Sequence, residues 1–161
     1  MTKIVIIDYG VGNFRNVQKA FQRVDAIAEI TESSSVVSNA GVVVLPGVGA
    51  FGDAINNLRQ RGLDEPVLQA VRDGKPVLGI CVGLQLLFDK SGEMGNHTGL
   101  GILPGRIVRF PESELPVPHM GWNQIHPVRE HPLLKHIADG DFAYYAHSYY
   151  AEPDNPEHTI G

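Results

Sequence analysis

The sequence predicts an α/β domain with a mostly parallel sheet and helices on both faces. Short Val/Ile-rich runs of strand length, stretches of helical spacing between them, and the alternation of the two carry that reading. The runs 3–8, 26–30, 42–45 and 76–80 are nearly unbroken apolar segments, which suits strands buried on both faces of a parallel sheet. Between the first two, Val17, Ala20, Phe21 and Val24 recur at i, i+3, i+4 and i+7, the spacing of one helical face. Asn13 precedes that helix as its expected N-cap. Val67, Ala70 and Val71 repeat part of the pattern, and Gly74 follows as an expected C-terminal glycine. Strands alternating with helices imply right-handed crossovers and a doubly wound sheet. After Lys90 the chain turns to glycines, prolines and short extended runs at 106–110 and 142–145, so a more antiparallel second half is expected. The Pro-rich stretch 111–118 reads as a surface loop within a single domain spanning 1–161.

A hydrophobic share of 43% in 161 residues suffices for one compact core, and hence one active site. The net charge of -5 and the lack of a Lys/Arg block exclude a nucleic-acid footprint, which needs clustered cations. One cysteine forms no internal disulfide. No leader pattern opens the chain, and no apolar run approaches the roughly 20 residues that span a bilayer. A cytoplasmic protein without membrane contact is expected. The seven histidines are scattered singly, without metal-ligand spacing, and no metal or cofactor is expected.

The run Gly79-Ile80-Cys81-Val82-Gly83-Leu84-Gln85 sits where a buried strand meets an apolar helix expected to continue through Phe88. Glycines two residues either side of Cys81 have the spacing of a nucleophile elbow, whose sharp turn leaves no room for flanking side chains. A thiol at a helix N-terminus lies near unpaired N–H groups that favour its thiolate, the attacking species. The plainer alternative is a small buried cysteine with glycines that permit close packing.

The run 42–45 leads into Pro46-Gly47-Val48-Gly49-Ala50-Phe51-Gly52. From Gly47 this also fits the dinucleotide fingerprint Gly-x-Gly-x-x-Gly. The match is poor: it follows the third predicted strand, and no acidic residue ends a strand about 20 positions later, because Asp73 falls in a helix. An oxyanion site suits the loop better, with the amides of Gly49 and Val82 as donors.

Together these two runs resemble the class I glutamine amidotransferase family, whose fold is flavodoxin-like. Asp8-Tyr9-Gly10-Val11-Gly12-Asn13, Pro118-His119-Met120-Gly121-Trp122-Asn123 and Tyr145-Ala146-His147-Ser148-Tyr149 narrow the resemblance to the glutaminase subunits of imidazole glycerol phosphate synthases. That resemblance implies that Cys81 attacks the side-chain amide of L-glutamine, releasing ammonia and then glutamate. It implies substrate or oxyanion contacts for Gly47, Val48, Gly49, Val82, Gln85, Glu93, His147, Ser148 and Tyr149. It implies as partner a cyclase subunit with a (β/α)8 barrel, forming a heterodimer that makes imidazole glycerol phosphate and an aminoimidazole carboxamide ribotide in histidine biosynthesis. Gly10, Gly12, Asn13, His119, Met120, Trp122 and Asn123 match segments near that subunit interface. On their own residues, Asn13 is an ordinary N-cap, Trp122 a core anchor, and Gln85 and Glu93 surface side chains.

A cysteine glutaminase also needs a base for the thiol proton and a carboxylate to orient that base. The family draws both from a Phe-His-Pro-Glu-Lys-like run that residues 1–161 do not contain. The expectation is therefore that a C-terminal part of the domain, with base and acid, is missing; neither His147 nor His158 is assigned as base. Three alternatives stay open: a glutaminase for another acceptor such as pyridoxal phosphate synthase, a flavodoxin-like nucleotide-binding module at 47–52, and an inactive regulator that docks to the synthase.

Overall fold

Residues 2–112 and 115–161 are described by a computed structural model; part of the predicted 111–118 loop, residues 113 and 114, lies outside them. The four Val/Ile-rich runs become β1 (Ile4–Ile7), β2 (Ala28–Thr31), β3 (Val42–Gly47) and β4 (Val77–Cys81). They form one sheet in the order β2-β1-β3-β4, and every neighbouring pair is parallel. β2 starts later than its run predicts. Asp25 has a positive φ of 56°, and the Ala26 N–H donates to the Phe21 carbonyl, so the turn out of the first helix consumes those residues. β3 and β4 run further than predicted and end level, with Gly47 beside Cys81. The glycine loop and the cysteine therefore leave the carboxyl ends of adjacent parallel strands, where open α/β sheets build their sites.

Side chains alternate across this sheet. Val5, Ile7, Val43 and Leu45 enter the main core, while Ile6, Ala28 and Val44 face the other side. Helix α1 (Phe14–Gln22) covers that second side through Phe14, Val17 and Phe21. It ends before Val24, which is 72% exposed and falls outside the predicted stripe. Asn13 holds the N-cap position as predicted, with its carbonyl accepting from the Val17 N–H, although its side chain makes no capping bond. On the main face lie α2 (Ser34–Ser38), α3 (Phe51–Gln60) and α4 (Asp64–Arg72). α3 buries Phe51, Ala54, Ile55 and Leu58, at i, i+3, i+4 and i+7. Each such burial contributes roughly 1.5–3 kcal/mol for the large side chains. Gly74 closes α4 as predicted, with φ 70° and its N–H on the Val71 carbonyl.

The helix after Cys81 is shorter than expected. α5 (Val82–Gln85) is a single turn, and Phe88 already belongs to β5 (Phe88–Ser91). Leu86, Leu87 and Phe88 are all buried, and a continuous apolar run fits helix or strand equally well. β5 joins a second sheet with β6 (His97–Thr98), β7 (Leu103–Arg109) and β10 (Tyr149–Pro153), in the order β10-β7-β5-β6. Only its β5–β7 pair is parallel. β8 (His119–Gln124) and β9 (Phe142–His147) form a separate antiparallel ribbon. The second half is thus largely antiparallel, as its composition predicts. Among the described residues no helix is long and apolar enough to cross a membrane.

Candidate active site

Cys81 ends β4 with φ 56° and ψ -121°, a conformation that side-chain-bearing residues hold only when their surroundings enforce it. The flanking glycines show what enforces it. A Cβ at Gly79 would lie 2.5 Å from the Leu84 Cα, and one at Gly83 would collide with the Leu45 carbonyl of β3. Strand and helix turn are therefore packed backbone to backbone, and Cys81 is pushed outward at their joint, where it is exposed. α5 has only one turn, so no long helix dipole stands behind the thiol.

The glycine loop lies beside this turn. Gly47 is buried at the end of β3, and a Cβ there would lie 2.6 Å from the Tyr9 hydroxyl and 2.7 Å from the Gly83 nitrogen. Gly49 adopts φ 82° with open space around it. Gly52 is already inside α3, where a Cβ would meet the His97 ring at 2.5 Å. Close packing thus accounts for the first and last glycines of the dinucleotide-like pattern. At the loop's far end, the Phe51 N–H at the start of α3 donates to Glu93 Oε2 at 2.7 Å. Glu93 is itself steadied by its own N–H donating to the Ser91 hydroxyl at 3.2 Å. A carboxylate at a helix N-terminus satisfies an otherwise unpaired donor.

Cys81, Val48, Gly49, Val82, Gln85 and Glu93 face His147, Ser148 and Tyr149 across a cavity of about 450 Å³. Gly47 lies directly beneath, so the structure gathers the expected substrate and oxyanion residues around one thiol. Gln85 and Glu93 are half-buried and line this cavity rather than standing free on the surface. Larger hollows elsewhere, such as the one lined by Pro127, His131 and Lys135, do not contain Cys81. The cavity wall also includes Pro118, Met120 and Ala146. Met120 belongs to the predicted interface run; Pro118 and Ala146 carry no chemical signal in sequence and enter through the pairing of β8 with β9.

The ribbon sorts the expected interface residues by face. Met120 pairs with Ala146 and Trp122 with Tyr144, whereas His119 pairs with His147 and Asn123 with Ala143. Trp122 is 69% exposed and packs edge-on against Tyr144, so it is no core anchor. Phe142 and Tyr144 are exposed with it; sequence reasoning misses them, because their alternation looks like any strand. On the opposite face, the His147 Nδ1–H donates to the Tyr149 carbonyl at 3.0 Å, and its Nε2 lies 3.3 Å from His119 Nδ1. Both ring nitrogens of His147 are thereby engaged. Gly10, Gly12 and Asn13 do not line the cavity; they form the β1–α1 turn, where the Gly10 N–H donates to Asp8 Oδ1.

Beneath the loop, the phenol of Tyr9 is wholly buried, and its hydroxyl has no hydrogen-bond partner among the described residues. Loss of solvent holds its pKa far above the usual tyrosine range, and the neighbouring Cys81 thiolate adds to the shift. Among the described residues no group of three or more His, Cys, Asp or Glu side chains is arranged to hold a metal ion. The arrangement offers a nucleophile, nearby backbone donors, and polar groups able to grip a small amino acid.

The sequence profile "Glutamine amidotransferase class-I" matches residues 5–160. "Imidazole glycerol phosphate synthase subunit HisH" from Geobacter sulfurreducens is 51% identical over 161 residues, covering 96% of this chain and 77% of the relative. The proteins of the same name from Syntrophotalea carbinolica and Aquifex aeolicus are 51% and 47% identical, covering 94% and 95% of this chain and 77% and 74% of theirs. Among solved structures, a glutamine amidotransferase superposes with a TM-score of 0.70 at 16% identity, over 91% of this chain and 72% of its own. A GMP synthase-like protein from Thermoplasma acidophilum gives 0.63 at 17%, over 94% and 67%. At those identities the solved structures establish the fold alone.

Proposed function

The chain belongs to the class I glutamine amidotransferase family, and from that premise we propose that it is the glutaminase subunit of an imidazole glycerol phosphate synthase. It hydrolyses glutamine to glutamate and ammonia in histidine biosynthesis, in a heterodimer with the cyclase subunit. One observation carries the reading to these residues: a strained, exposed Cys81 shares a single cavity with Gly49, Gln85, Glu93 and Ser148.

The Cys81 thiolate attacks the side-chain amide carbon of glutamine, and the carbonyl oxygen takes up the negative charge. The amides of Gly49 and Val82 stabilise that oxygen. The C–N bond then breaks, nitrogen leaves as ammonia with the proton taken from the thiol, and a thioester remains. Water hydrolyses the thioester to glutamate and restores the thiol. Glu93, Gln85 and the Ser148–Tyr149 backbone hold the α-amino and α-carboxylate groups. Because both nitrogens of His147 are committed, we do not assign it as the base for the thiol proton. The exposed face of Met120, Trp122, Phe142 and Tyr144 meets a (β/α)8-barrel partner, joined by the turn at Gly10, Gly12 and Asn13, and the pair works in the cytoplasm.

The test is ammonia release in the presence of the cyclase subunit, combined with labelling by a glutamine-derived electrophile. Modification of Cys81 and loss of turnover in Cys81→Ala are expected. An inert Cys81 together with tight nucleotide binding at the 47–52 loop would sink the proposal.

A further inference from the structure

The second sheet carries a cationic hollow for which glutamine hydrolysis has no use. β7 outruns its parallel neighbour β5: their pairing ends with Ser91 beside Ile107, while β7 continues through Val108 and Arg109. Beside that step lies a hollow of about 640 Å³. Among the described residues, Lys90, Arg106 and Arg109 line it and no aspartate or glutamate does, although the chain as a whole carries a net charge of -5. A concavity walled by one sign of charge raises the local concentration of the opposite ion. Arg106 pairs with Glu152 at 2.6 Å, a carboxylate that stays outside the lining. The side chains of Lys90 and Arg109 form no ion pair among the described residues.

Two neutral donors accompany these cations. On the β10 side of β7 the Phe110 N–H donates to the Ser148 carbonyl, and on the β5 side the Ile107 carbonyl accepts from the Gly92 N–H. Backbone groups alternate between the two edges of a strand, so the Arg109 N–H faces the β5 side, where β5 has already ended. Among the described residues it finds no backbone acceptor there. Ser91 supplies the second donor. It is 2% exposed, and its Oγ accepts from the Glu93 N–H at 3.2 Å, which leaves its own proton for another partner.

We propose that this hollow binds a small phosphate monoester, its dianion held by Lys90, Arg106 and Arg109 and its oxygens accepting from the Arg109 N–H and the Ser91 hydroxyl. A donor set of this size suits the three free oxygens of a phosphate better than the two of a carboxylate. The hollow is larger than the anion alone and falls within the range that encloses small organic ligands. Asn96 and Thr98, also in its lining, offer polar groups to the body of the ester. The site adjoins the glutamine cavity without being part of it: Tyr149 lines both, while Glu93 and Cys81 line only the other.

The test is calorimetric titration of glycerol 3-phosphate into the full chain, run in parallel on the double variant Lys90→Gln, Arg109→Gln and on Cys81→Ala. The double variant should bind at least about tenfold more weakly, the size of one charge-assisted hydrogen bond or more. Its melting temperature should stay within about 2 °C of the parent, since both side chains are exposed and unpaired. Cys81→Ala should bind the ester as the parent does. Equal affinity in the parent and the double variant would overturn the proposal, as would binding of uncharged glycerol as tight as that of its phosphate. Inorganic phosphate binding as tightly as glycerol 3-phosphate would overturn the assignment to an ester. Competition by glutamine would overturn it as well, by merging the hollow with the cavity around Cys81. Failure of the glutaminase reading is separately visible, as absence of Cys81-dependent ammonia release, and leaves the titration unaffected.

Discussion

A single methyl group at Gly83 should do more damage than at any other turn glycine near the site. The added Cβ would overlap the Leu45 carbonyl oxygen, with the Leu45 carbonyl carbon at 2.7 Å and the Pro46 carbonyl carbon at 3.0 Å. Relaxed carbon–oxygen contacts lie near 3.3–3.6 Å, so α5 and β3 must separate by about 1 Å or more. Neither side yields easily, because Leu45, Val82 and Leu86 are all buried in the main core. Overpacking typically costs 1–3 kcal/mol, and a clash between two backbones belongs at the upper end, about 3 kcal/mol. For a chain of this size that lowers the melting temperature by roughly 6–12 °C. Gly74→Ala is the control: it has φ 70° but open space around it, so it incurs only the left-handed cost of about 1–2 kcal/mol. Thermal unfolding of the two variants beside the parent, followed by calorimetry, checks the ordering. If Gly83→Ala melts within about 2 °C of Gly74→Ala, the backbone-packing explanation of the Cys81 turn is wrong.

Glu93→Gln should weaken the charge-assisted bond to the Phe51 N–H, costing at most about 1 kcal/mol for this half-exposed group, and raise KM for glutamine by about tenfold through loss of a charge on the substrate amine; unchanged KM removes Glu93 from the substrate site. Trp122→Ala should weaken the affinity for the cyclase subunit by roughly 30-fold, about 2 kcal/mol, and leave the melting temperature of the isolated protein unaltered, since the indole is 69% exposed. Titration calorimetry showing parent-like affinity would move the interface elsewhere. Because Tyr9 keeps its proton in the fold well above the ordinary value of 10.0, the fold loses stability as pH rises above about 10, where the unfolded chain gives up that proton and the fold does not. Denaturant unfolding at pH 8 and pH 11 should show a smaller alkaline loss for Tyr9→Phe; equal losses refute the attribution.

The sheet is legible in the sequence because its information is local. Four β-branched runs, separated by helical spacing and glycine stops, admit few arrangements other than a parallel α/β sheet. Cys81 is legible for the same reason, since flanking glycines at fixed spacing signal a turn that no other residue fits. Helix α3 escapes notice because Phe51 and Gly52 look like the tail of a glycine loop until the helix they open is seen. The run from Leu84 to Phe88 reads as helix because a fully apolar stretch has no period to distinguish the two structures. Residue type and spacing thus marked Cys81 and its turn, and the runs around them carried the resemblance to the family. The tertiary structure alone decided which distant groups meet there: Glu93 on the start of α3, the β8–β9 ribbon closing the cavity with Pro118 and Ala146, and Tyr9 buried under Gly47. Those contacts arise from strand register and layer packing, and a linear sequence encodes them only through the whole fold.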